Sequence, residues 1–216
     1  MFAGRPIIGL VGGIGSGKSF VASLFGEAGC LVIDSDLQVK AAYERDDVKE
    51  VLRSWWADEV FHPDGTVDRV AVARIVFRNE AQRRRLEDLL HPLVGQMRDR
   101  AMEEAAGNPA IKAYIWDTPL LVETGLAGRC DVLVFVDAPL RQREGRVAAE
   151  RGWKAGELRE REKLQLPLDK KRKMANYIVR NTAGAGEVRS QVRELLSRIL
   201  AGFSDGKVSE CPQRAD

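Results

Sequence analysis

The chain is predicted to adopt an α/β fold, a three-layer sandwich around a parallel five-stranded sheet. Two observations carry this prediction. Short apolar runs alternate with amphipathic helical stretches, as parallel strands joined by crossover helices require. The runs are β-branched or aromatic and bounded by Gly, Pro, Asp or Asn: Ile7–Val11, Cys30–Ile33, Ile111–Trp116, Val132–Val136 and Tyr177–Val179. The length of 216 residues suffices for one such domain with insertions.

Between the first two runs, Val21, Leu24, Phe25 and Ala28 fall at i, i+3, i+4 and i+7, a single buried helix stripe that Gly29 ends. From about Leu37 to Met102 the pattern is helical without strands, with a turn at Asp64-Gly65. Leu86, Leu89, Leu90, Leu93, Val94 and Met97 form a further stripe, in which Pro92 kinks the helix or starts a new one. So many helical residues exceed one crossover, so residues 37–105 are read as an inserted helical subdomain. A charged helical insertion spans residues 141–174, and a last helix at about 187–203 closes the core of residues 5–36, 110–140 and 175–203. Residues 204–216 are polar and aperiodic, as in a disordered tail.

The 34 basic and 32 acidic residues leave a net charge of +2, which lacks the basic excess of a nucleic-acid binder. The runs Arg83-Arg84-Arg85 and Lys170-Lys171-Arg172-Lys173 have acidic neighbours and read as solvated helix faces. No stretch reaches the ~20 apolar residues of a membrane span, and Met1 to Pro6 hold no long apolar run. Cys30, Cys130 and Cys211 are distant and odd in number, as free thiols in a reducing compartment would be. A soluble cytoplasmic protein, monomeric or weakly homo-oligomeric, with no nucleic-acid or membrane partner, is expected.

Gly12-Gly13-Ile14-Gly15-Ser16-Gly17-Lys18-Ser19 fits G-x-x-x-x-G-K-[ST], a P-loop. Glycines let the backbone curl until successive N–H groups point at the same phosphates, and the following helix adds its positive N-terminus. Gly13, Gly15, Ser16, Gly17, Lys18, Ser19 and Phe20 are the candidate ATP-binding residues. Lys18 reaches the β- and γ-phosphates, and Ser19 offers its hydroxyl to Mg2+. A glycine-rich turn that binds nothing has no need to follow a strand and open a helix, as this one does.

Asp34 and Asp36 end the second strand, at the carboxyl edge where ligands of open α/β sheets bind. Two apart on an extended chain, they point the same way. Either they face the transferred phosphoryl group, where a carboxylate accepts the proton of an attacking hydroxyl, or they cap the helix that follows. Asp117 ends the third strand, a place for a second acidic group on Mg2+.

These motifs, with Asp64-Gly65, Asp68-Arg69, Leu90-His91-Pro92-Leu93, Asp117-Thr118-Pro119-Leu120-Leu121-Val122-Glu123, Asp131, Val136-Asp137-Ala138-Pro139, Gln165 and Asn181, resemble the dephospho-CoA kinases over about Ile7 to Gly202. The resemblance implies transfer of the ATP γ-phosphate to the ribose 3′-hydroxyl of dephospho-CoA, the final step of coenzyme A biosynthesis. It implies that Asp36 is the general base and Lys18 and Arg146 are catalytic. It also implies that Asp36, His91, Leu120 and Glu123 bind substrate and that Ser19 and Asp117 hold Mg2+. The helical insertion would bind CoA, and residues 141–174 would form a lid whose arginines close over the phosphates. A histidine before a proline is equally often a local hydrogen-bonding group. Adjacent Trp55 and Trp56 more often mean one buried and one partly exposed ring than an adenine stack.

Three positions depart from the family pattern. Phe20 stands where threonine is usual, leaving only a backbone N–H for the α-phosphate. Asn176 replaces an aspartate, a structural change. Arg146 and Arg151 lie five residues apart instead of four, which at about 100° per residue sets them roughly 140° apart on a helix. The helix would then end between them, or a bulge would absorb the extra residue. Arg143, three before Arg146, could substitute for one of these arginines, but solvated surface is the preferred reading. Competing readings are a P-loop kinase of another small molecule and a phosphate-binding regulatory module without turnover.

Overall fold

The computed structural model describes residues 1–182 and 184–204; the expected tail at 204–216 lies outside them from residue 205 onward, as does Cys211. The chain divides into two compact units, residues 1–33 with 104–216, and residues 34–103.

The first unit is built on β1 (Ile7–Gly12), followed by α1 (Lys18–Glu27) and β2 (Leu31–Asp34). After the second unit come β3 (Tyr114–Asp117), β4 (Val132–Asp137) and β5 (Tyr177–Arg180). The five strands form one parallel sheet in the order β2-β3-β1-β4-β5. Every residue of β1 is buried, because a central parallel strand is covered on both faces. Its register pairs Ile8 with both Ile115 and Val132. Val and Ile recur in these strands and pack on a pleated surface without losing further side-chain freedom.

One face of this sheet packs against α1 and the last helix. The buried stripe Val21, Leu24 and Phe25 meets Ile8, Leu10 and Val134 in a single core. Each large side chain so buried contributes about 1.5–3 kcal/mol. Cys30 belongs to this core, and burial pushes its thiol up to about 12, which makes it a packing group rather than a nucleophile. Asn176 ties the start of β5 to β4, its Oδ1 accepting from the Leu133 N–H at 2.8 Å.

The second unit contains α2 (Ser35–Glu44), α3 (Asp46–Trp56), α4 (Arg69–Arg78) and most of α5 (Glu80–Ala105). It has its own core, in which Leu52, Val60, Val72 and Leu90 pack together. Asp64 accepts from the Thr66 N–H and hydroxyl in the expected turn. Trp56 is buried with its Nε1 donating to Gln82, while Trp55 is half-buried under Arg85. No new helix begins at Pro92, contrary to one of the two expectations, because α5 continues through it. Pro92 removes one amide donor, and both it and Asp88, whose carbonyl loses that donor, are exposed to water.

The 141–174 segment comprises α6 (Leu140–Arg151), α7 (Glu157–Glu162) and α8 (Leu168–Met174), and α9 (Ala185–Ser204) ends the described chain. The expected break between Arg146 and Arg151 is absent. α6 is regular α-helix through Arg151, and Gly152 caps it. The two arginines therefore leave the helix in different directions.

Candidate functional site

Residues 13–17 join β1 to α1 as a tight loop, and α1 begins at Lys18. Gly17 has φ 86°, a left-handed conformation that side chains disfavour, and a Cβ there would run into the Asn181 amide. That amide is already committed, its Nδ2 donating to Ser16 O at 2.8 Å. Gly17→Ala therefore costs about 1–2 kcal/mol in backbone strain before any collision. A thermal melt is expected to show Tm lowered by several degrees; an unchanged Tm would mean the loop does not need this conformation.

Arg146 holds the same loop from α6. Its Nη1 donates to Gly15 O at 3.2 Å and Ser16 O at 3.1 Å, and its Nη2 donates to Asn181 O at 2.9 Å. The arginine expected as a phosphate clamp thus donates to loop carbonyls. Ser16 Oγ is buried inside the loop without a partner, a state that costs about 1–3 kcal/mol.

Lys18 folds back over the loop, its Nζ donating to Gly12 O at 3.3 Å and Gly13 O at 3.1 Å. Burial, the largest influence, pushes its ammonium down to about 8, and Lys171 and Arg151 push the same way. Asp117 and Glu162 oppose them. Asp117 is buried at the end of β3, and its carboxylate lies within electrostatic reach of Lys18. Ser19 and Phe20 follow in the first turn of α1, and both are exposed.

Arg143 corrects the reading of a solvated surface residue. It is buried, with Nε donating to Ala138 O and Nη1 to Ile14 O, both at 3.2 Å. Nη1 also meets Glu162 Oε1 at 2.5 Å. Glu162 Oε1 in turn accepts the Ile14 N–H at 3.1 Å. A Cβ on Gly13 would strike both Arg143 and Glu162, so only glycine lets them approach so closely.

After β3 the chain turns through Pro119–Glu123. Leu120 has φ 56°, strained for a leucine, and is 41% exposed. Glu123 pairs with Lys171 Nζ at 2.7 Å and accepts the Leu166 N–H at 3.0 Å. Burial is the largest single influence on its carboxyl and raises it, but these partners outweigh burial and hold it below the usual range. Lys171 also donates to Gln165 at 3.1 Å and is buried, so one member of the supposedly solvated basic run of α8 is an internal group. Arg83, Arg84 and Arg85 are exposed, as expected of a solvated face.

The remaining candidates lie in the second unit. Asp34 caps α2, its Oδ1 accepting the Asp36 N–H at 2.8 Å and the Leu37 N–H at 3.1 Å. Asp36 is not the cap: it stands exposed in the first turn, where the helix N-terminus favours a carboxylate. His91 is an exposed residue of α5.

The dephospho-CoA kinase family model matches residues 6–187. The chain belongs to the dephospho-CoA kinase family. The dephospho-CoA kinase of Thermobifida fusca is 35% identical over 194 residues, 89% of this chain and 95% of that one. The one of Anaeromyxobacter dehalogenans is 37% identical over 209 residues, 95% of this chain and 96% of its own. A crystal structure of a Thermus thermophilus protein, 34% identical, superposes with a TM-score of 0.76, covering 90% of this chain and 98% of that one.

In this member of the dephospho-CoA kinase family, the sequence offers Arg143 only as a substitute lid arginine, with solvated surface preferred, and assigns no role to Glu162 or Lys171. Charged residues in a charged insertion look like surface. A signal existed: Arg143 and Val147 are four apart on α6 and both buried, so one face of that helix turns inward carrying an arginine.

Proposed function

We propose that the protein transfers the γ-phosphoryl group of ATP to the ribose 3′-hydroxyl of dephospho-CoA, giving CoA and ADP. The observation that carries this reading is a glycine loop opening α1 at the carboxyl end of β1, in a chain matching the family from residue 6 to 187. Loop N–H groups and the positive end of α1 receive the phosphates. Lys18, already close to the loop, swings from the Gly12 and Gly13 carbonyls to the β- and γ-phosphates. Asp36 accepts the proton of the attacking hydroxyl as the new O–P bond forms. His91 and the strained Leu120 contribute to substrate binding, and the 37–105 insertion receives the CoA portion. Glu123 acts indirectly, by fixing the turn that carries Leu120. The α6–α8 segment forms the lid, which excludes water from the transferred group.

Ser19 and Asp117 offer only oxygen donors, which suits a hard cation that keeps most of its water, and they would hold Mg2+. Bound there, Mg2+ would supply positive charge that offsets the charge of the phosphates. No helix among the described residues is long and apolar enough to cross a membrane. Two buried thiols, Cys30 and Cys130, suit a reducing compartment, and the cytoplasm is the proposed location.

The test is ADP release from Mg-ATP with dephospho-CoA beside adenosine, AMP and shikimate. Turnover confined to dephospho-CoA is expected. Turnover with another acceptor would overturn the substrate, and ATP binding without any turnover would favour a regulatory module. Phe20 gives a second prediction. Phe20 is one of the exposed large apolar residues, at 37%. Phe20→Thr adds a hydroxyl at the start of α1 and should tighten ATP binding about three- to tenfold by calorimetry. Unchanged or weaker binding would give the ring a packing role of its own.

A further inference from the structure

Glu162 stands where an anionic ligand belongs. Its Oε1 takes the Ile14 N–H at 3.1 Å, a main-chain donor of the phosphate loop, and at the same time pairs with Arg143 Nη1 at 2.5 Å. The carboxylate also acts on Lys18, raising its affinity for a proton. One oxygen thus engages a loop amide and a guanidinium beside the loop lysine, the donor types that a phosphate oxygen would seek. Neither side chain is on the surface: Arg143 is 6% exposed and Glu162 17%. Glu162 is the last residue of α7, a six-residue helix anchored by buried Leu158, while Arg143 is fixed on α6 by its bond to Ala138 O.

We propose that Glu162 is an internal stand-in for a nucleotide phosphate, displaced when a polyphosphate binds. A phosphate oxygen takes over the Ile14 N–H, the carboxylate leaves with α7, and Arg143 remains to face the phosphate. The inference rests on the phosphoryl-transfer reading and deepens it by adding Arg143 as a phosphate ligand and Glu162 as its competitor. Retaining both would place two anions on one set of donors, and like charges so close repel strongly. Nucleotide binding is thereby coupled to a change in how the α7 end of the proposed lid engages the loop. The apparent affinity for ATP is lowered by whatever the internal ion pair contributes.

The measurement is the Kd for ATP and for inorganic tripolyphosphate by calorimetry, with wild type, Glu162→Gln, Arg143→Gln and the double variant. Glutamine keeps the shape and a weak acceptor but lacks the charge. Glu162→Gln should tighten both ligands about three- to tenfold, and adding Arg143→Gln should cancel that gain. If Glu162 only braces Arg143 and the loop, Glu162→Gln will weaken or not alter binding, and the proposal falls. A gain that survives Arg143→Gln overturns the role of Arg143. Hydrogen exchange on the wild-type protein supplies a readout free of folding defects. Inorganic tripolyphosphate, which brings no acceptor for the lid to enclose, should speed exchange in residues 157–164, and slowed or unchanged exchange there overturns the displacement. Wild type that turns over dephospho-CoA yet fails these tests removes this inference alone. Wild type that binds no polyphosphate removes the phosphoryl-transfer reading as well.

Discussion

Asp36→Asn should lower dephospho-CoA turnover by about 10²–10⁴-fold, the usual effect of losing a general base, while ATP binds within about twofold of wild type. Asparagine has nearly the same shape and hydrogen-bonds well in a first helical turn, so the local backbone is preserved. It cannot take a proton from a hydroxyl. Asp34 performs the capping work, with its two accepted N–H bonds, and Asp36 is left exposed two residues further on. The two aspartates are therefore separable by experiment. Asp34→Ala should reduce stability by about 1 kcal/mol through the lost cap and shift Tm, whereas Asp36→Asn should shift Tm less and turnover far more. Steady-state ADP release and ATP calorimetry on both variants make the comparison. An Asp36→Asn enzyme with wild-type turnover would sink the general-base assignment.

What the sequence exposed and what it hid follow different physics. Strands such as Ile7–Gly12 and Val132–Asp137 were legible because parallel strands buried on both faces are runs of apolar, β-branched residues. The phosphate loop was legible because its geometry demands glycine at fixed offsets, as at Gly17. Pro92 misled in part, because a proline in an exposed helix face leaves a carbonyl that water can satisfy. The Asp34–Asp36 pair was ambiguous by nature: capping and base catalysis ask for the same residue type, and only the N–H partners of Asp34 separate them. Arg143, Glu162 and Lys171 were hidden for another reason. A buried ion pair joins residues 19 or 48 positions apart, as in Arg143–Glu162 and Glu123–Lys171, and no local period records a pairing across elements. The same composition would describe a solvated helix face.

Lys18→Met should lower kcat by about 10²–10³-fold, the range seen when one group stabilising developing charge is removed. Methionine fills similar volume but carries no charge for the β- and γ-phosphates. The wild-type lysine also imposes a pH dependence whose sign follows from its surroundings. Burial disfavours the charged form and brings the ammonium down to about 8, well under the ordinary 10.5. Above that pH the nucleotide-free protein holds Lys18 largely neutral. ATP prefers the cation, so its binding must draw a proton from solution. The Kd for ATP should therefore be flat below about pH 7.5 and rise toward tenfold per unit above pH 8, with uptake of up to one proton. Calorimetry in two buffers of different ionisation enthalpy counts that proton directly. In Lys18→Met both the slope and the proton should vanish, although the Kd itself is weaker throughout. A wild-type Kd that stays level to pH 9.5 would mean that Asp117 and Glu162 hold the lysine charged despite its burial. The interaction of Lys18 with its acidic neighbours, rather than its withdrawal from water, would then set the state in which the loop meets its nucleotide.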